Sequence, residues 1–503
     1  MTDRQWRWIL AGVSAALVTL PFLFVTFPPS VDLPQHVAQV RLFSEALHDP
    51  AGLYKIQWFT PYSAITMLLG LIWQVAGPLA TGRIGLIVLG LMWTGAAHWL
   101  AATRKRPAEA AVLASLLYLG LSTYWGFCSF LIGWPPFLVW FERTTRPVET
   151  FRKRDAASLA GLAVVLYLCH ALWFATAMGW WLVSLIMQRP PRRVLLWQLV
   201  ALAPLQLFAL YWWKELAVSA FGFKHGLVWL EPIYARLSFQ WFVGATFYGL
   251  KDHTDALALG AILGWCALSI GRNFRGFFST LDRPLFAVSL CMFAGILTLP
   301  NSVSFTIFLP ERFVAPALIL LLLALPPPRL PAALQRGIAA AVLLAFCTSV
   351  ALNWKSFEEK WMTGFAGAVE ALPPEMPLLG LDYIHRNSNV QAPVFMHLTS
   401  YAQALKGGTV ASSFAEMPSA LVVFKEPRRK WTARLEWFTE KVQRSDFDYF
   451  SYALVGVPDR RSLKIAAGLP LDPVTTTGKW RLFKVRASSG RPDAPEMKLT
   501  SPQ

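Results

Sequence analysis

Residues 8 to 27 read WILAGVSAALVTLPFLFVTF, and residues 28 to 36 continue PPSVDLPQH. The first stretch is a single apolar run of about the 20 residues needed to cross a bilayer, with Arg4 and Arg7 ahead of it. It is too long for a signal-peptide core, and Thr26-Phe27-Pro28-Pro29-Ser30 offers no small-x-small cleavage site, so a retained transmembrane helix is expected. The second stretch then delivers Asp32 and His36 to the far membrane surface. A carboxylate and an imidazole held there point to chemistry on a lipid-borne substrate.

The rest of the chain repeats the apolar theme. Of its 503 residues 55% are hydrophobic and 15% charged, and mean hydropathy is +0.44. Soluble domains carry about 25% charged residues, so a polytopic membrane protein is expected. Cys128, Cys169, Cys266, Cys291 and Cys347 all fall in apolar runs, which excludes a disulfide framework or a cysteine-based metal site. A formal charge of +17 would suggest nucleic acid in a soluble protein. Here the basic residues cluster in short loops between apolar runs, a pattern that sets topology and attracts anionic lipid, so no nucleic-acid partner is expected.

Those clusters fix an expected topology. Arg104 to Arg106, Arg143 to Arg154, Arg189 to Arg193, Arg272 to Arg283 and Arg329 to Arg336 belong with the N-terminus on the cytoplasmic side. If Thr60 to Leu79 and Ile84 to Leu100 both crossed, Arg104 to Arg106 would fall outside. The first of these runs, interrupted by Gly70, Gln74, Gly77 and Pro78, is therefore expected to lie in the interface. About eleven spans result: 8–27, 84–102, 108–123, 126–141, 156–169, 171–187, 194–213, 255–271, 285–300, 313–325 and 337–353. Cytoplasmic segments then hold 18 Lys and Arg and outer loops 8, and everything after residue 353 is placed outside.

Three outer segments are long enough to build a site: 28–83, 214–254 and 301–312. In the first, Val37, Val40, Phe43 and Leu47 recur at helical spacing between Gln35, Gln39, Arg41, Glu45 and His48, which describes an amphipathic helix lying on the membrane. Asp32 opens it, and two readings stand side by side. Asp32-Leu33-Pro34-Gln35 is a capping-box-like start, and Asp32 is also the first acid available to hold charge near a lipid head. His36 reads either as substrate-binding or as an interfacial ring resting on Val40. The second segment carries Lys224, His225, Glu231, Asp252, His253 and Asp255, a polar mixture without metal-ligand spacing. The third places Glu311 and Arg312 at the mouth of an apolar span, where charge is costly and needs a partner or a function. Arg312 paired to Glu311 and Arg312 binding phosphate weigh about equally.

Together these positions resemble the GT-C superfamily, integral-membrane glycosyltransferases that use polyprenyl-phosphate-linked sugars, such as protein O-mannosyltransferases and lipid A aminoarabinose transferases. The layout matches throughout the membrane region. Asp32 follows the first span, Arg83 in Thr81-Gly82-Arg83-Ile84 stands at the mouth of the second, and Arg312-Phe313 with Pro316 opens a late span. Tyr124-Trp125-Gly126-Phe127, Gly133-Trp134-Pro135 and the span-turn His170 fit the same layout. The resemblance implies Asp32 as the lone candidate base, Arg83 and Arg312 as phosphate ligands, and a glycan, lipid or protein acceptor; His36, Glu231 and Glu311 are further candidate substrate-binding residues. In many members a second acid follows the first, but here Leu33 and Pro34 follow Asp32, and the nearest substitute is Glu45. No cofactor is therefore assigned, and a divalent metal lacks its second acid. The residue types suit the chemistry on their own account, since a hydroxyl attacking an anomeric carbon needs a base and a phosphate leaving group needs cations.

Residues 354–486 change character, with strand-length apolar runs at Leu378–Leu381, Ala420–Phe424 and Tyr452–Val457 and helical stretches near 398–406 and 430–443, so a small periplasmic α/β domain is expected. Gly407-Gly408 is a turn without a nucleotide fingerprint. The basic run Lys425, Arg428, Arg429, Lys430 and Arg434 reads as a solvated helix start, and 487–503 as a disordered tail. The rival classes are a lipid-linked glycan transporter, which needs charges within its spans, and a non-catalytic scaffold. A membrane acyltransferase would use a deep histidine such as His98 or His170.

Overall fold

The computed structural model describes residues 2–147, 149, 151–217, 226–271, 277–303, 306–428, 430–459 and 468–486. Lys224, His225, Arg272, Arg429 and the 487–503 tail lie outside them. The membrane region runs as α1 (Asp3–Thr19, prolonged by a 3-10 turn to Phe24), α2 (Leu33–His48), α3 (Ser63–Ala76), α4 (Pro78–Thr103), α5 (Ala108–Leu116), α6 (Leu121–Tyr124), α7 (Cys128–Thr144) and α8 (Lys153–Cys169). It continues as α9 (Ala171–Gln188), α10 (Arg192–Ala217), α11 (Phe239–Thr246), α12 (Thr254–Gly271), α13 (Phe277–Thr280), α14 (Arg283–Thr298), α15 (Leu309–Ala324) and α16 (Ala332–Trp361).

Every segment expected to span is helical, and among the described residues six helices are long and apolar enough to cross a membrane by themselves: Asp3–Phe24, α4, α9, Arg192–Glu215, α12 and α16. The chain is a multi-pass membrane protein. The 14 residues of α3 rise about 21 Å, short of a hydrocarbon core of about 30 Å.

Helix ends sort by charge. Arg104 pairs with Glu142 at 2.6 Å and approaches Asp282 at 3.8 Å. Arg106 donates to the carbonyls of Leu323, Ala324 and Leu325, the unsatisfied acceptors at the C-terminus of α15. Arg7 donates to Arg106 O at 2.9 Å, and Arg336 pairs with Glu109 while lying over the Trp6 ring. The starts of α1, α5, α14 and α16 thus share one face with the ends of α4, α7 and α15. On the opposite face Glu358, late in α16, accepts from Thr26 N and Phe27 N, and Asn353 donates to Asp252.

That opposite face is roofed by the C-terminal domain, built from α17 (Phe365–Ala371), α18 (Thr399–Lys406) and a sheet of order β5-β7-β9-β8 once numbering starts from the outer loops: β1 (Tyr54–Ile56), β2 (Leu227–Val228), β3 (Ser302–Val303), β4 (Thr306–Ile307), β5 (Leu378–Asp382), β6 (Val422–Phe424), β7 (Tyr452–Gly456), β8 (Leu471–Pro473) and β9 (Trp480–Val485). β5 and β7 are parallel, while β9 runs antiparallel to β7 and β8. The strand expected at 420–424 forms but leaves this sheet, pairing antiparallel with β1 of the first outer segment. The helix expected over 430–443 does not form. Arg434 there takes a left-handed φ of 62°, and the helical content shrinks to a 3-10 turn at Thr439–Lys441.

The largest correction concerns α2. Its first half has no wet face: Leu33 to Val40 are all buried, the polar positions included, while Ser44, Leu47 and His48 further along are exposed. Gln39 donates to Val422 O and accepts from Val422 N, and Gln35 donates to Ser412 O and accepts from Phe414 N, all at 2.8–3.1 Å. Each side-chain amide thus completes the backbone hydrogen bonding of the roof. Gly82 lets α4 approach, since a Cβ there would stand 3.2–3.3 Å from Val37, Leu33 and Tyr401.

Candidate active site

Asp32 is held by its main chain. Val31 N donates to Tyr124 O and Asp32 N to Trp125 O, at 2.9 and 3.1 Å, and Ser30 Oγ donates to Thr123 O. Gly126 makes this possible. Its φ is 72°, and a Cβ there would stand 2.7 Å from the amides of Asp32 and Leu33. The aromatic turn Tyr124-Trp125-Gly126-Phe127 is therefore the seat of the acid.

The Asp32 side chain makes no capping hydrogen bond to α2, so the capping-box reading fails. It turns instead toward the roof, where His397 Nε2 lies 3.5 Å from Asp32 Oδ1. Gln35 Nε2 lies 3.3 Å from His397 Nδ1. Burial pushes the Asp32 carboxyl up to about 7, an effect the nearby Arg312 guanidinium opposes. Burial also pulls the imidazoles of His36 and His397 down to about 4, with a backbone hydrogen bond to Gly126 opposing the shift at His36, so both rings are neutral at physiological pH. His36 stands edge-on to Phe414 at 5.4 Å, beneath the roof rather than in the interface.

Arg312 is 6% exposed, its guanidinium 3.4 Å above the centroid of Phe127. Its Nε donates to Ile307 O at 2.9 Å, and among the described residues it forms no ion pair. Pairing with Glu311 is thus not what holds it. Tyr62 lies beside it, its ring edge-on to His170 at 4.7 Å. Tyr62 and Phe308, with left-handed φ of 86° and 56°, begin α3 and α15, and the Phe308 ring packs on Trp125 at 4.6 Å. Such backbone costs about 1–3 kcal/mol per residue and collects at functional sites.

The remaining candidates are placed elsewhere. Glu231 and Glu311 both accept from Asn301 Nδ2, and Glu231 also pairs at 3.1 Å with Arg236, a fully buried side chain that donates to Ile296 O, Leu299 O and Asn301 Oδ1. This network ties the 226–237 loop to the head of α15, with Glu311 on one side of the helix and Arg312 on the other. Arg83 reaches Val25 O at 3.5 Å and acts on Glu358, so it is drawn to the end of α1 rather than to Asp32. Glu45 pairs with Arg41, which also holds Glu375, so it is not a second acid beside Asp32. Asp252 and Asp255 accept backbone amides at the start of α12, and His98 meets Ser14 between α1 and α4. Among the described residues no group of three or more His, Cys, Asp or Glu is placed to hold a metal ion.

His397 and Tyr62 were not anticipated. Gln35 and His397 are 362 residues apart, and nothing in the local sequence of either signals the other.

No family model and no curated protein matches the sequence. Solved structures do. The apo crystal structure of ArnT from Cupriavidus metallidurans, a lipid A aminoarabinose transferase, superposes with a TM-score of 0.52 at 13% identity, covering 96% of this chain and 98% of that one. Its crystal structure bound to undecaprenyl phosphate gives 0.51 at the same identity and coverage. A cryo-EM structure of the arabinofuranosyltransferase AftD from Mycobacteria is also similar, at 0.48 and 15% identity, covering 98% of this chain and 42% of that one. The shared fold extends over nearly the whole chain.

Proposed function

We propose that this chain, which has the fold of the GT-C membrane glycosyltransferases, moves a sugar from a polyprenyl-phosphate carrier to an acceptor at the outer face of a bacterial inner membrane. One observation carries the reading: the Asp32 carboxyl, which burial pushes up to about 7, and the buried Arg312 guanidinium, with no ion pair among the described residues, lie close enough beneath the roof to act on each other. Asp32 removes the proton from an acceptor hydroxyl, whose oxygen bonds to the anomeric carbon while the bond from that carbon to the phosphate oxygen breaks. The proton stays on Asp32 and the electron pair leaves with the phosphate. Arg312, its plane set by Phe127, offers its Nη groups to the phosphate oxygens. His36, one turn along α2 from Asp32, serves as a neutral hydrogen-bonding group. The ArnT structure bound to undecaprenyl phosphate supports a carrier of that class.

Titrating the protein in nanodiscs with undecaprenyl phosphate, followed by native mass spectrometry, is expected to give saturable one-to-one binding. Radiolabelled polyprenyl-phosphate sugars then identify the donor by transfer to membrane extracts. Absence of saturable binding would overturn the carrier assignment. Because burial raises the Asp32 pKa, the active carboxylate is depleted below pH of about 7. The single-turnover rate is therefore expected to climb about tenfold per pH unit on the acid side and to level off above neutrality. A rate independent of pH between 5 and 8 would remove Asp32 as base.

The eleven-span arrangement, with N-terminus cytoplasmic and the C-terminal domain periplasmic, is part of the same proposal. An alkaline phosphatase fusion after Arg486 is expected to be active, and a fluorescent GFP fusion there would reverse the orientation.

A further inference from the structure

We infer that His397, supplied by the C-terminal domain, is a positioning residue for Asp32: it donates a hydrogen bond from Nε2 to the carboxylate, and Gln35 fixes which ring nitrogen carries the hydrogen. The inference rests on reading Asp32 as the base. It would make the roof a working part of the site rather than a lid over it.

The argument begins with Gln35. Its Oε1 accepts from Phe414 N at 2.8 Å and its Nε2 donates to Ser412 O at 2.9 Å, so the amide cannot be flipped without losing both bonds. The second hydrogen on Nε2 points to His397 Nδ1 at 3.3 Å, and that nitrogen must accept it. In a neutral ring the hydrogen then resides on Nε2, which faces Asp32 Oδ1 at 3.5 Å. That separation is long for a hydrogen bond, as catalytic contacts often are before substrate binds. His397 is only 10% exposed and edge-on to Phe414 at 6.3 Å, so the ring has little freedom to turn away. With Nδ1 occupied and Nε2 protonated, His397 is not itself free to take a proton.

Among the described residues few groups face Asp32. Arg312 approaches from α15 and Cys128 from α7, with His36 one turn along α2 and His397 above. Tyr62 and His170 stand behind, next to Arg312. A donor to the carboxylate favours its charged form, so removing His397 raises the Asp32 pKa and leaves less base at neutral pH.

The test reads the protonated-carboxyl infrared band of the resting full-length protein, assigned by its loss in Asp32→Asn. In the wild type its midpoint is expected near 7. His397→Leu is expected to move it upward by about one pH unit, the size of a lost hydrogen bond to a charged group. His397→Gln, whose amide nitrogen reaches as far as Nε2, should restore it to within about 0.3 unit. Gln39→Ala, which loosens the same helix against the roof at Val422 without touching His397, should leave it in place. An unmoved midpoint in His397→Leu overturns the inference, and so does an equal shift in Gln39→Ala. Because the band is read without turnover, a protein lacking transferase activity would count against the proposed function and leave the His397–Asp32 hydrogen bond standing.

Discussion

Asp32→Asn is expected to lower the transfer rate by about 100-fold or more while making the folded protein no less stable, and more stable in alkaline buffer. The carboxyl is held near 7 in the fold against an ordinary value of 3.8. The sign follows from that difference. Below about 4 the group is protonated in folded and unfolded chains alike and contributes nothing. Between about 4 and 7 the unfolded chain ionises more readily, so Asp32 increasingly destabilises the fold, and above 7 the penalty is complete. Asparagine removes the penalty and the base together. Thermal unfolding of the detergent-solubilised protein at pH 5 and pH 8, beside a transfer assay, reads both effects. Because the side chain does not cap α2, Asp32→Ala is not expected to show the loss of about 1 kcal/mol typical of a missing N-cap. An Asn variant with normal turnover would end the catalytic assignment.

Arg312→Ala is expected to weaken undecaprenyl phosphate binding by about 100-fold, the value of two charge-assisted hydrogen bonds at about 1.5 kcal/mol each. Arg312→Lys should recover only part of this, because an ammonium keeps the charge but neither the fork nor the flat face that lies 3.4 Å over Phe127. Arg83→Ala provides the contrast. Its guanidinium is directed to Val25 O and Glu358, so affinity is expected to change less than about threefold, a difference below 1 kcal/mol. Native mass spectrometry with the free lipid measures all three. Equal losses for Arg83→Ala and Arg312→Ala would move the phosphate toward the end of α1.

The two carboxylates at 231 and 311 show how the site and its surroundings divide. Both looked available to a substrate because they stand in outer segments. Asn301 and the buried Arg236 engage them in holding the 226–237 loop against α15. Neighbouring residues on a helix point about 100° apart, so Glu311 and Arg312 can serve different pockets despite being adjacent in sequence.

Hydropathy and charge are read along the chain, and what depends on them was legible in the sequence alone. The apolar runs become helices because lipid leaves backbone groups no other partner, and the basic clusters meet on one face because charge is costly elsewhere. The place of Asp32, just beyond the first helix, follows from the same counting. Pairings between distant segments were not legible. The pattern of α2, with glutamines at 35 and 39 among apolar residues, is the pattern of an interfacial helix, and it was the backbone of residues 412–422 that replaced water as the partner of those amides. Likewise β6 resembled any buried strand until β1 came beside it, and His397 any domain histidine until the roof closed over Asp32. A buried polar group and a solvated one can carry the same local sequence, because what separates them is the surface that packs against them, and only the tertiary structure supplies that surface.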